Sequence, residues 1–369
     1  MKVAWLVRVP IGERDGQLYS PLAGVRMRTI VPMLELQRRG HAASIVQLPD
    51  TGVPAAAALA ALESSDAVFF GPVLPAPGLS IDDAAAGVLA LLEHLRARGI
   101  TTLADIHDDH FEVPGRIQYF TGLVRKADAV IANSDAMANL VANYTQRPVQ
   151  VIGDPYEGPR GEPRFAPLAR SNWLDRLLPW RASPLKLAWF GHQSNLQPVY
   201  ALAQAIVGAR LRWPVEFEVV SRDGFGAREF CEIFSHHHGR RCRARFVEWS
   251  PESTQRALHE CDLAVLPGDA ALRKTPLKSA NRVAEILRAG RYALAYPIPS
   301  YAQFAGHSGI AEDIVGGIDW AMDHPAEVLN RVRTGQAYVE QTFSPEAVGG
   351  QWLAALRDIL GSRVNASDQ

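Results

Sequence analysis

The sequence predicts an α/β protein built from two parallel-sheet domains in tandem, and three features of the chain lead to this fold class. Short apolar runs alternate with longer helical patterns along most of its 369 residues. The runs are apolar at successive positions, which is typical of strands in a parallel sheet that is covered on both faces. A stretch dense in proline and glycine interrupts the alternation near the middle, and the alternation then restarts. Ligands of such sheets bind at the carboxyl ends of the strands, so we expect functional residues in the loops that follow strands in both domains.

Six apolar runs predict the strands of an N-terminal domain over residues 1–153. They lie at residues 2–9, 42–48, 66–71, 101–106, 128–134 and 148–153. Helical patterns separate these runs, and two of the patterns end in glycine after a basic last turn, at residues 38–40 and 96–99. Glycine after a basic turn is a common helix stop signal, which supports the division into strands and helices.

The second half of the chain repeats this organisation. Residues 154–184 are rich in proline and glycine and have no period, so we interpret them as a linker that holds one short helix at residues 171–180. Five further runs predict strands of a C-terminal domain over residues 185–343. They lie at residues 185–191, 215–221, 243–249, 262–268 and 292–297. We expect residues 344–369 to form a helix that packs back on the N-terminal domain and ends in a frayed tail.

Composition excludes several classes of function. The formal net charge is −1, which gives no overall preference for nucleic acid. The three cysteines form no CxxC pair, and the run SHHHGRRC at residues 235–242 does not have the spacing of a zinc site. No apolar stretch approaches the roughly 20 residues that cross a bilayer. These features favour a cytoplasmic protein without a metal.

Residues 274–290, KTPLKSANRVAEILRAG, carry three cations where a helix is predicted to begin. Lys274, Lys278 and Arg282 oppose the partial positive charge of a helix N-terminus. A bound anion removes this conflict, because it pairs with the cations and with the free backbone N–H groups. The segment therefore predicts a phosphate site, or else it is a solvated face with ordinary surface ion pairs.

A helix over residues 278–289 would turn this segment into a binding face. At about 100° per residue, one face presents two cations, an amide and a carboxylate. These groups belong to Lys278, Asn281, Arg282 and Glu285. Phosphates would lie at the two cations, and Glu285 would accept hydrogen bonds from vicinal hydroxyls such as those of a ribose.

Two other loops of the second half are candidates for the same ligand. Gly191 follows the run LKLAWF and allows a ligand to approach the backbone closely, and His192 comes directly after it. Tyr301 lies in the loop after residues 292–297 and can stack on a base or a sugar. Glycines after strands and single aromatic residues in loops are common, so each signal is weak by itself.

The loop LADIHDDHFEVPG, residues 103–115, concentrates carboxylates and imidazoles directly after a predicted strand. The group consists of Asp105, His107, Asp108, Asp109 and His110. Such a group can supply a general base, clamp an acceptor hydroxyl or bind a metal. A turn rich in aspartate, with a carboxylate capping a helix, is the alternative, and the sequence leaves both open.

Three further residues are candidates for substrate binding. Arg26 and Arg28 follow SPLAG early in a predicted helix and can reach a donor phosphate or an acidic acceptor. Ser134 ends the run DAVIANS and either contacts substrate or caps the next helix. For the two arginines, a solvated surface position is the alternative.

Several of these segments resemble the GT-B glycosyltransferases, and most of all their family 4. The segments are SPLAGVRMRTIVPMLELQRRGH, RKADAVIANSDAMANLV, PVQVIGDPYE, LAWFGHQSNL and HECDLAVLPG with the helix after it. The resemblance covers most of the chain and implies a GT-B fold, in which two Rossmann-like domains face a central cleft. One position departs from the family pattern of two glutamates eight residues apart. Glu285 matches the second, which holds the ribose, whereas Leu277 stands at the first.

The resemblance also implies a reaction. A glycosyl group would pass from a nucleoside diphosphate sugar to the hydroxyl of a saccharide or glycolipid acceptor, with a retaining mechanism favoured, in surface polysaccharide or glycoconjugate biosynthesis. Side chains rather than a cofactor would stabilise the leaving diphosphate, Lys278 first and Arg282 or Lys274 second. A loop such as 103–115 faces the acceptor in this family, which makes His107, Asp108 and Asp109 catalytic candidates.

Other functions on the same architecture stay open. They are a nucleotide-sugar epimerase, a transferase of polyol phosphate from a CDP donor, and a protein that binds sugar or a partner subunit without catalysis. The departure at Leu277 keeps the last of these open. The nucleotide base, the sugar, peripheral membrane association and the oligomeric state are not determined by the sequence.

Overall fold

The computed structural model describes residues 1–49, 54–73, 80–165 and 184–367. Contacts divide the chain into two compact units. The first unit comprises Met1–Tyr156, Leu277–Ala280 and Thr342–Gln369, and the second comprises Glu157–Pro276 and Asn281–Gln341. The first boundary between them, after Tyr156, falls inside the stretch predicted as a linker. The short helix predicted at residues 171–180 lies outside the described residues.

The first unit contains a six-stranded parallel sheet in the order β4-β1-β5-β6-β7-β8 and an antiparallel pair, β2–β3. Its strands are β1 Lys2–Arg8, β2 Gly12–Arg14, β3 Gln17–Tyr19, β4 Ala42–Gln47, β5 Ala67–Val73, β6 Thr101–Ile106, β7 Ala129–Ala132 and β8 Val149–Val151. Its first six α-helices are α1 Ala23–Val25, α2 Val31–Arg38, α3 Ala56–Glu63, α4 Ala85–Ala97, α5 Ile117–Lys126 and α6 Asp135–Ala142. A π-helix, Arg26–Ile30, joins α1 to α2, and a 3₁₀ turn precedes α4.

The second unit contains another six-stranded parallel sheet, in the order β11-β10-β9-β12-β13-β14. Its strands are β9 Leu185–Phe190, β10 Val215–Ser221, β11 Cys242–Glu248, β12 Leu263–Leu266, β13 Tyr292–Ala295 and β14 Gly309–Ile310. Its helices are α7 Gln197–Ala209, α8 Ala227–His238, α9 Pro251–Glu260, α10 Asn281–Arg288, α11 Ile314–Asp323 and α12 Pro325–Thr342. The last helix of the chain, α13 Pro345–Ser367, belongs largely to the first unit. These two parallel sheets confirm the predicted α/β class.

The core of the first unit lies on both faces of its sheet. Alternate residues of β1 enter different apolar clusters, with Leu6 on one face and Trp5 on the other. Trp5 stacks on Phe69 at 4.9 Å, and Phe69 meets the ring of Trp352 edge-on at 5.0 Å. Because Trp352 lies in α13 and is fully buried, the C-terminal helix covers one face of this sheet.

The structure corrects several predicted elements. The hairpin β2–β3 and the two-residue strand β14 were not predicted from the sequence, because each is short and lacks an apolar run. The last helix is assigned through Ser367, and the predicted fraying of the tail stays a prediction. The helix predicted from residue 278 begins at Asn281. Within the described ranges, every helix is too short or too polar to cross a bilayer.

Candidate functional site

Gly191 lies at the carboxyl end of β9, at the centre of the second unit's sheet. Its backbone N–H donates to the carbonyl oxygen of Val220 at 3.1 Å, which ties the start of the loop to β10. A Cβ atom at this position would lie 2.9 Å from the ring of Trp189 and 3.3 Å from Nη1 of Arg282. The absence of a side chain at Gly191 therefore lets the Arg282 guanidinium lie against the backbone at this edge of the sheet.

Arg282 is the second residue of α10 and is partly buried. Among the described residues, its guanidinium has no hydrogen-bond or ion-pair partner. The first turn of a helix also presents backbone N–H groups and the positive end of the helix dipole. A free arginine beside such a helix start, at the carboxyl edge of a parallel sheet, is an arrangement suited to binding an anion.

The loop after Gly191 adds polar groups to the same edge. The ring of His192 is exposed, and its Nδ1 accepts a hydrogen bond from the backbone N–H of Ser194 at 3.2 Å. Oε1 of Gln193 is buried and has no hydrogen-bond partner in the described part of the chain. A Cβ atom at Gly224, after β10, would lie 2.4 Å from that oxygen, so the loops after β9 and β10 are in close contact.

The helix predicted over residues 278–289 is wrong in its first turn, so Lys278 does not share a helical face with the other three predicted residues. Lys278 precedes α10 and lies in Leu277–Ala280, which groups with the first unit, whereas Arg282 belongs to the second. Lys274 is exposed in a turn before this segment, and Asn281 is the first residue of α10. Asn281 and Arg282 are therefore the predicted residues that lie in the first turn of α10. The ligand contacts predicted for the two lysines stay predictions.

Leu277 explains in part why the family pattern is broken here. The residue is partly buried and packs against an apolar core cluster of the first unit. A glutamate in that environment would lose hydration, which is costly for a charged group. The apolar residue therefore serves packing at the position where the family carries its first glutamate.

Glu285 holds the chain's own backbone in this structure. Its carboxylate accepts hydrogen bonds from the backbone N–H groups of Glu157 and Gly158, the latter at 2.9 Å. A Cβ atom at Gly158 would lie 2.6 Å from Glu285 Oε2, so the contact depends on glycine. The predicted hydrogen bonds to a ribose stay a prediction, and they would have to share or replace these contacts.

Tyr301 does not present its ring to the surface. It lies in the 3₁₀ helix Pro299–Phe304, and the residue is only 2% exposed. A ring buried to this extent has no open face, which argues against the predicted stacking on a base or sugar. The local sequence did not reveal this, because the burial comes from tertiary packing.

Arg28 and Asp105 form a buried ion pair in the first unit instead of facing solvent. Nη2 of Arg28 lies 2.6 Å from Asp105 Oδ1, and both side chains are 1% exposed. Asp154 lies 3.3 Å from Nη1, which also donates to the carbonyl oxygen of Ile152. Burial alone would lower the pKa of Arg28, but the two carboxylates outweigh it and raise that pKa above its ordinary value. Substrate contact by either residue, as predicted, has no support in this geometry.

In the loop of residues 103–115, the ring of His107 is partly buried and partly exposed. The side chain is 21% exposed, with Nδ1 4.0 Å from Asp105 Oδ2 and Nε2 3.7 Å from Asp108 Oδ2. Asp108 is 68% exposed. The backbone carbonyl of His107 accepts a hydrogen bond from Nδ2 of Asn133 at 3.0 Å, which fixes the loop to the end of β7. His107 and Asp108 thus both reach the surface of this loop.

The remaining residues of the first unit have structural partners. Asp109 is buried, and its Oδ1 accepts from the backbone N–H of Phe111 at 3.2 Å, which is the turn interpretation. The ring of His110 lies 4.6 Å from that of Phe120. Ser134 caps α6 by accepting from the N–H of Met137, as in the capping interpretation.

Arg26 also has local partners. Its Nη1 donates to the carbonyl oxygen of Ser20 at 2.7 Å, and its guanidinium lies over the ring of Tyr19. These contacts hold the turn that leads into α1. A ligand contact by Arg26 stays a prediction.

Two polar residues at strand ends were not identified as ligand candidates from the sequence. Asn133 follows β7 and Gln193 follows β9, and each has a buried side-chain oxygen without a hydrogen-bond partner in the described part of the chain. A polar residue immediately after an apolar run was the only available signal. Within the described ranges, no group of three or more His, Cys, Asp or Glu side chains is arranged to hold a metal ion.

Comparison with solved structures agrees with this architecture. Anabaena Alr3699/HepE in complex with UDP matches with a TM-score of 0.63 and 13% identity, over 97% of this chain and all of that one. A glycosyltransferase from Rickettsia africae ESF-5 matches at 0.58 and 14%, over 97% and 99%. A UDP-forming α,α-trehalose-phosphate synthase from Burkholderia vietnamiensis matches at 0.63 and 9%, over 98% of each chain.

The chain has the GT-B fold. The two six-stranded parallel sheets and the near-complete coverage of these structures together confirm the predicted Rossmann-like architecture. No family model matches the sequence, and no curated protein matches it either. At 9–14% identity, the likeness to these structures extends to the fold alone.

Proposed function

We propose that the protein is a glycosyltransferase that uses a nucleoside diphosphate sugar and transfers the sugar to an acceptor hydroxyl with retention. The observation that carries this proposal is the partnerless Arg282 guanidinium, which lies against Gly191 at the carboxyl edge of the second sheet. A diphosphate would supply the missing counter-charge. No other feature of the described chain combines a free cation, a helix start and a glycine approach in one place.

The chemistry asked of these groups is stabilisation of a leaving group. The bond between the anomeric carbon and the diphosphate oxygen breaks, a bond to the acceptor oxygen forms, and the acceptor proton passes to the departing diphosphate. Negative charge therefore builds on the diphosphate in the transition state. Arg282 and the first N–H groups of α10 would stabilise that charge, with Lys278, Lys274 and His192 as proposed further contacts.

The exposed pair in the first unit is the proposed site for hydroxyl groups. His107 and Asp108 offer an imidazole nitrogen and a carboxylate at the surface, which can hydrogen-bond to the hydroxyls of a sugar or an acceptor. A retaining transfer needs no carboxylate base from this loop. We therefore assign the pair to substrate orientation and transition-state contacts rather than to deprotonation.

We propose UDP-glucose or a related UDP-sugar as the first donor to test. Structures of Anabaena Alr3699/HepE contain UDP, UDP-glucose, or UDP with glucose. The trehalose-phosphate synthase is described as UDP-forming. A cytoplasmic role in surface polysaccharide or glycoconjugate assembly, with a saccharide or glycolipid acceptor, is part of the proposal.

A nucleotide screen followed by one arginine substitution tests the donor site. Thermal shifts would be measured with UDP, GDP, CDP, ADP and dTDP, and a ligand at 100 times its Kd should add about 2.7 kcal/mol of stability. Arg282→Gln should lower the affinity for the nucleotide with the largest shift by roughly 10- to 100-fold, because a hydrogen bond to a charged group contributes about 1.5–3 kcal/mol. Arg333→Gln, on an exposed position of α12, is the matched control and should leave binding unchanged.

Product analysis then separates this function from its rivals. A transferase needs both the UDP-sugar and an acceptor, whereas an epimerase changes the sugar with the donor alone. Equal nucleotide affinity in Arg282→Gln and the wild type would remove Arg282 from the site and with it the main support for the proposal. Absence of a shift with all five nucleotides would reject the nucleotide-dependent function.

A further inference from the structure

The π-helix Arg26–Ile30 is the most unusual backbone segment of the first unit. It inserts five residues of wider helix between α1 and α2. π-Helical turns are rare, and they are frequent at functional sites. At its centre is Arg28, which has no exposed surface. A fully buried arginine requires a specific set of partners, because an unpaired buried charge is very costly.

Those partners surround the Arg28 guanidinium on several sides. Asp105, Asp154 and the carbonyl oxygen of Ile152 accept its hydrogen bonds, and the ring of Trp352 lies 4.9 Å from its central carbon. Buried ion pairs of this kind contribute little net stability, since apolar residues of similar volume often replace them without loss. Stability alone is therefore a weak reason for the network.

Asp105 accepts hydrogen bonds from Arg28 at both of its oxygens, and Oδ2 also faces His107. Oδ1 accepts from Nη2 at 2.6 Å and from Nε at 3.1 Å, whereas Oδ2 lies 3.3 Å from Nε. Oδ2 is thus the less engaged oxygen, and it lies 4.0 Å from Nδ1 of His107. In the described part of the chain this Nδ1 is buried and has no hydrogen-bond partner.

The other imidazole nitrogen faces the opposite way. Nε2 of His107 would lie 2.7 Å from a Cβ atom at Gly24, so glycine there leaves room for the ring. Asp108 Oδ2 is 3.7 Å from Nε2 and is largely exposed. The ring therefore has one nitrogen toward a buried carboxylate and one toward the surface.

We propose that Arg28 and Asp105 are positioning residues that fix the tautomer of His107, with the proton on Nδ1 and the lone pair on Nε2. One arginine against the carboxylates of Asp105 and Asp154 leaves the buried group with a net negative charge, which stabilises an N–H that points toward it. The distance of 4.0 Å is longer than a hydrogen bond, and catalytic hydrogen bonds in unliganded proteins are often long. Arg28 holds Asp105 in place through both oxygens, and Oδ2, which accepts the longer hydrogen bond of 3.3 Å from Nε, faces the ring.

The functional consequence rests on the proposed function. A lone pair fixed on Nε2 makes the exposed nitrogen an acceptor for a hydroxyl hydrogen of the sugar or the acceptor. The charged groups that face the ring are Asp105 on the inside and Asp108 on the outside. The side-chain amide of Asn133 donates to the backbone carbonyl of His107 and not to its ring. Selection of one tautomer by Asp105 would thus decide whether His107 accepts or donates at the surface.

Long-range ¹H–¹⁵N spectra of histidine-labelled protein test this directly. The protein has 11 histidines, and the signal missing in His107→Gln assigns the ring. At alkaline pH, where the spectrum itself shows a neutral ring, Nδ1 of His107 should have the shift of a protonated nitrogen and Nε2 that of an unprotonated one. Asp105→Asn should shift the population toward the Nε2–H tautomer that dominates for histidine in water. Arg28→Lys, which keeps the charge but loses the planar fork, should give a mixture.

A matched control and a variant-free measurement keep the test decisive. Asp128 pairs with Arg96 at 2.9 Å in the same unit, so Asp128→Asn should disturb an ion pair without changing the His107 tautomer. If Asp105→Asn fails to fold, the wild-type spectrum alone decides, because a dominant Nε2–H tautomer overturns the inference. An unchanged tautomer in folded Asp105→Asn also overturns it. The spectra require no nucleotide, so a protein with the expected tautomer but no transferase activity would refute only the proposed function.

Discussion

Replacing Gly191 with alanine tests the geometry that places Arg282 at the edge of the second sheet. The added Cβ would lie 2.9 Å from Cζ2 and 3.2 Å from Cη2 of Trp189, a side chain that is 1% exposed. A buried indole has little room to move, so the new methyl overpacks the site. The Arg282 Nη1 at 3.3 Å is the far end of a flexible side chain and is the group that can yield.

The expected cost follows from these contacts. Overpacking a core destabilises the folded state by about 1–3 kcal/mol. Replacing glycine also restricts the unfolded chain, which stabilises the folded state by about 0.4–1 kcal/mol. We therefore expect Gly191→Ala to lower the free energy of unfolding by about 1–2 kcal/mol. For a unit of this size, Tm should fall by about 2–8 °C. Displacement of Arg282 should also weaken the binding of UDP, by up to about 100-fold if a charge-assisted hydrogen bond is lost.

Calorimetric unfolding and titration with UDP measure the two effects separately. Gly208→Ala is the control, because a Cβ at Gly208 in α7 meets nothing within 4 Å. A helical Gly→Ala change of this kind should stabilise the unit by roughly 0.5–1 kcal/mol. A Gly191→Ala protein with wild-type Tm and wild-type UDP affinity would refute the reasoning. A lower Tm with unchanged affinity would keep the packing argument and remove Arg282 from the phosphate site.

Three other substitutions or conditions have definite outcomes. Trp352→Ala should destabilise the first unit by about 3–5 kcal/mol in urea unfolding, since the ring is fully buried; a loss below about 1 kcal/mol would contradict its core role. Gly158→Ala places a methyl 2.6 Å from Glu285 Oε2 and should cost about 1–3 kcal/mol, whereas Gly306→Ala, which meets nothing within 4 Å, should cost far less. Burial raises the pKa of the Cys261 thiol from 9.0 to about 12. The unfolded thiol therefore ionises first, and the free energy of unfolding should decline between about pH 9 and pH 12 relative to a Cys261→Ala variant; parallel pH profiles would contradict this.

The strands could be predicted because their signal is local. Residues 101–106 and 215–221 were predicted as strands, and β6 Thr101–Ile106 and β10 Val215–Ser221 match them residue for residue. Every residue of β6 is buried. A short run of β-branched and apolar residues marks such a strand, and this pattern needs no knowledge of distant residues.

The π-helix and the buried arginine could not be predicted in the same way. The apolar spacing from Val25 to Leu36 is that of an ordinary helix, and Arg28 looks like a cation on its surface. Its partners Asp105 and Asp154 lie 77 and 126 residues further along the chain. Burial that depends on such distant contacts leaves no local signature, which is also why the burial of Tyr301 was not predicted.

In residues 274–290 the helix was predicted from the sequence, but its first residue was not. The apolar positions Val283, Ile286 and Leu287 identify α10, but they do not fix its first residue, because helix starts depend on capping and on what precedes them. Moving the start to Asn281 separates Lys278 from the helix and leaves Arg282 in the first turn.

The two positions compared with the family 4 glutamates have contacts of their own in this chain. At the first glutamate position, Leu277 packs against a core, and at the second, Glu285 accepts two backbone N–H groups. Both positions therefore have contacts within the protein, whereas the guanidinium of Arg282 between them has no hydrogen-bond or ion-pair partner among the described residues. A phosphate site requires a cation held close to a helix start and free of protein carboxylates, and this requirement does not involve either glutamate. Under the proposed function, the diphosphate is bound without either position, and the contacts to the sugar differ from those that the family 4 pattern implies.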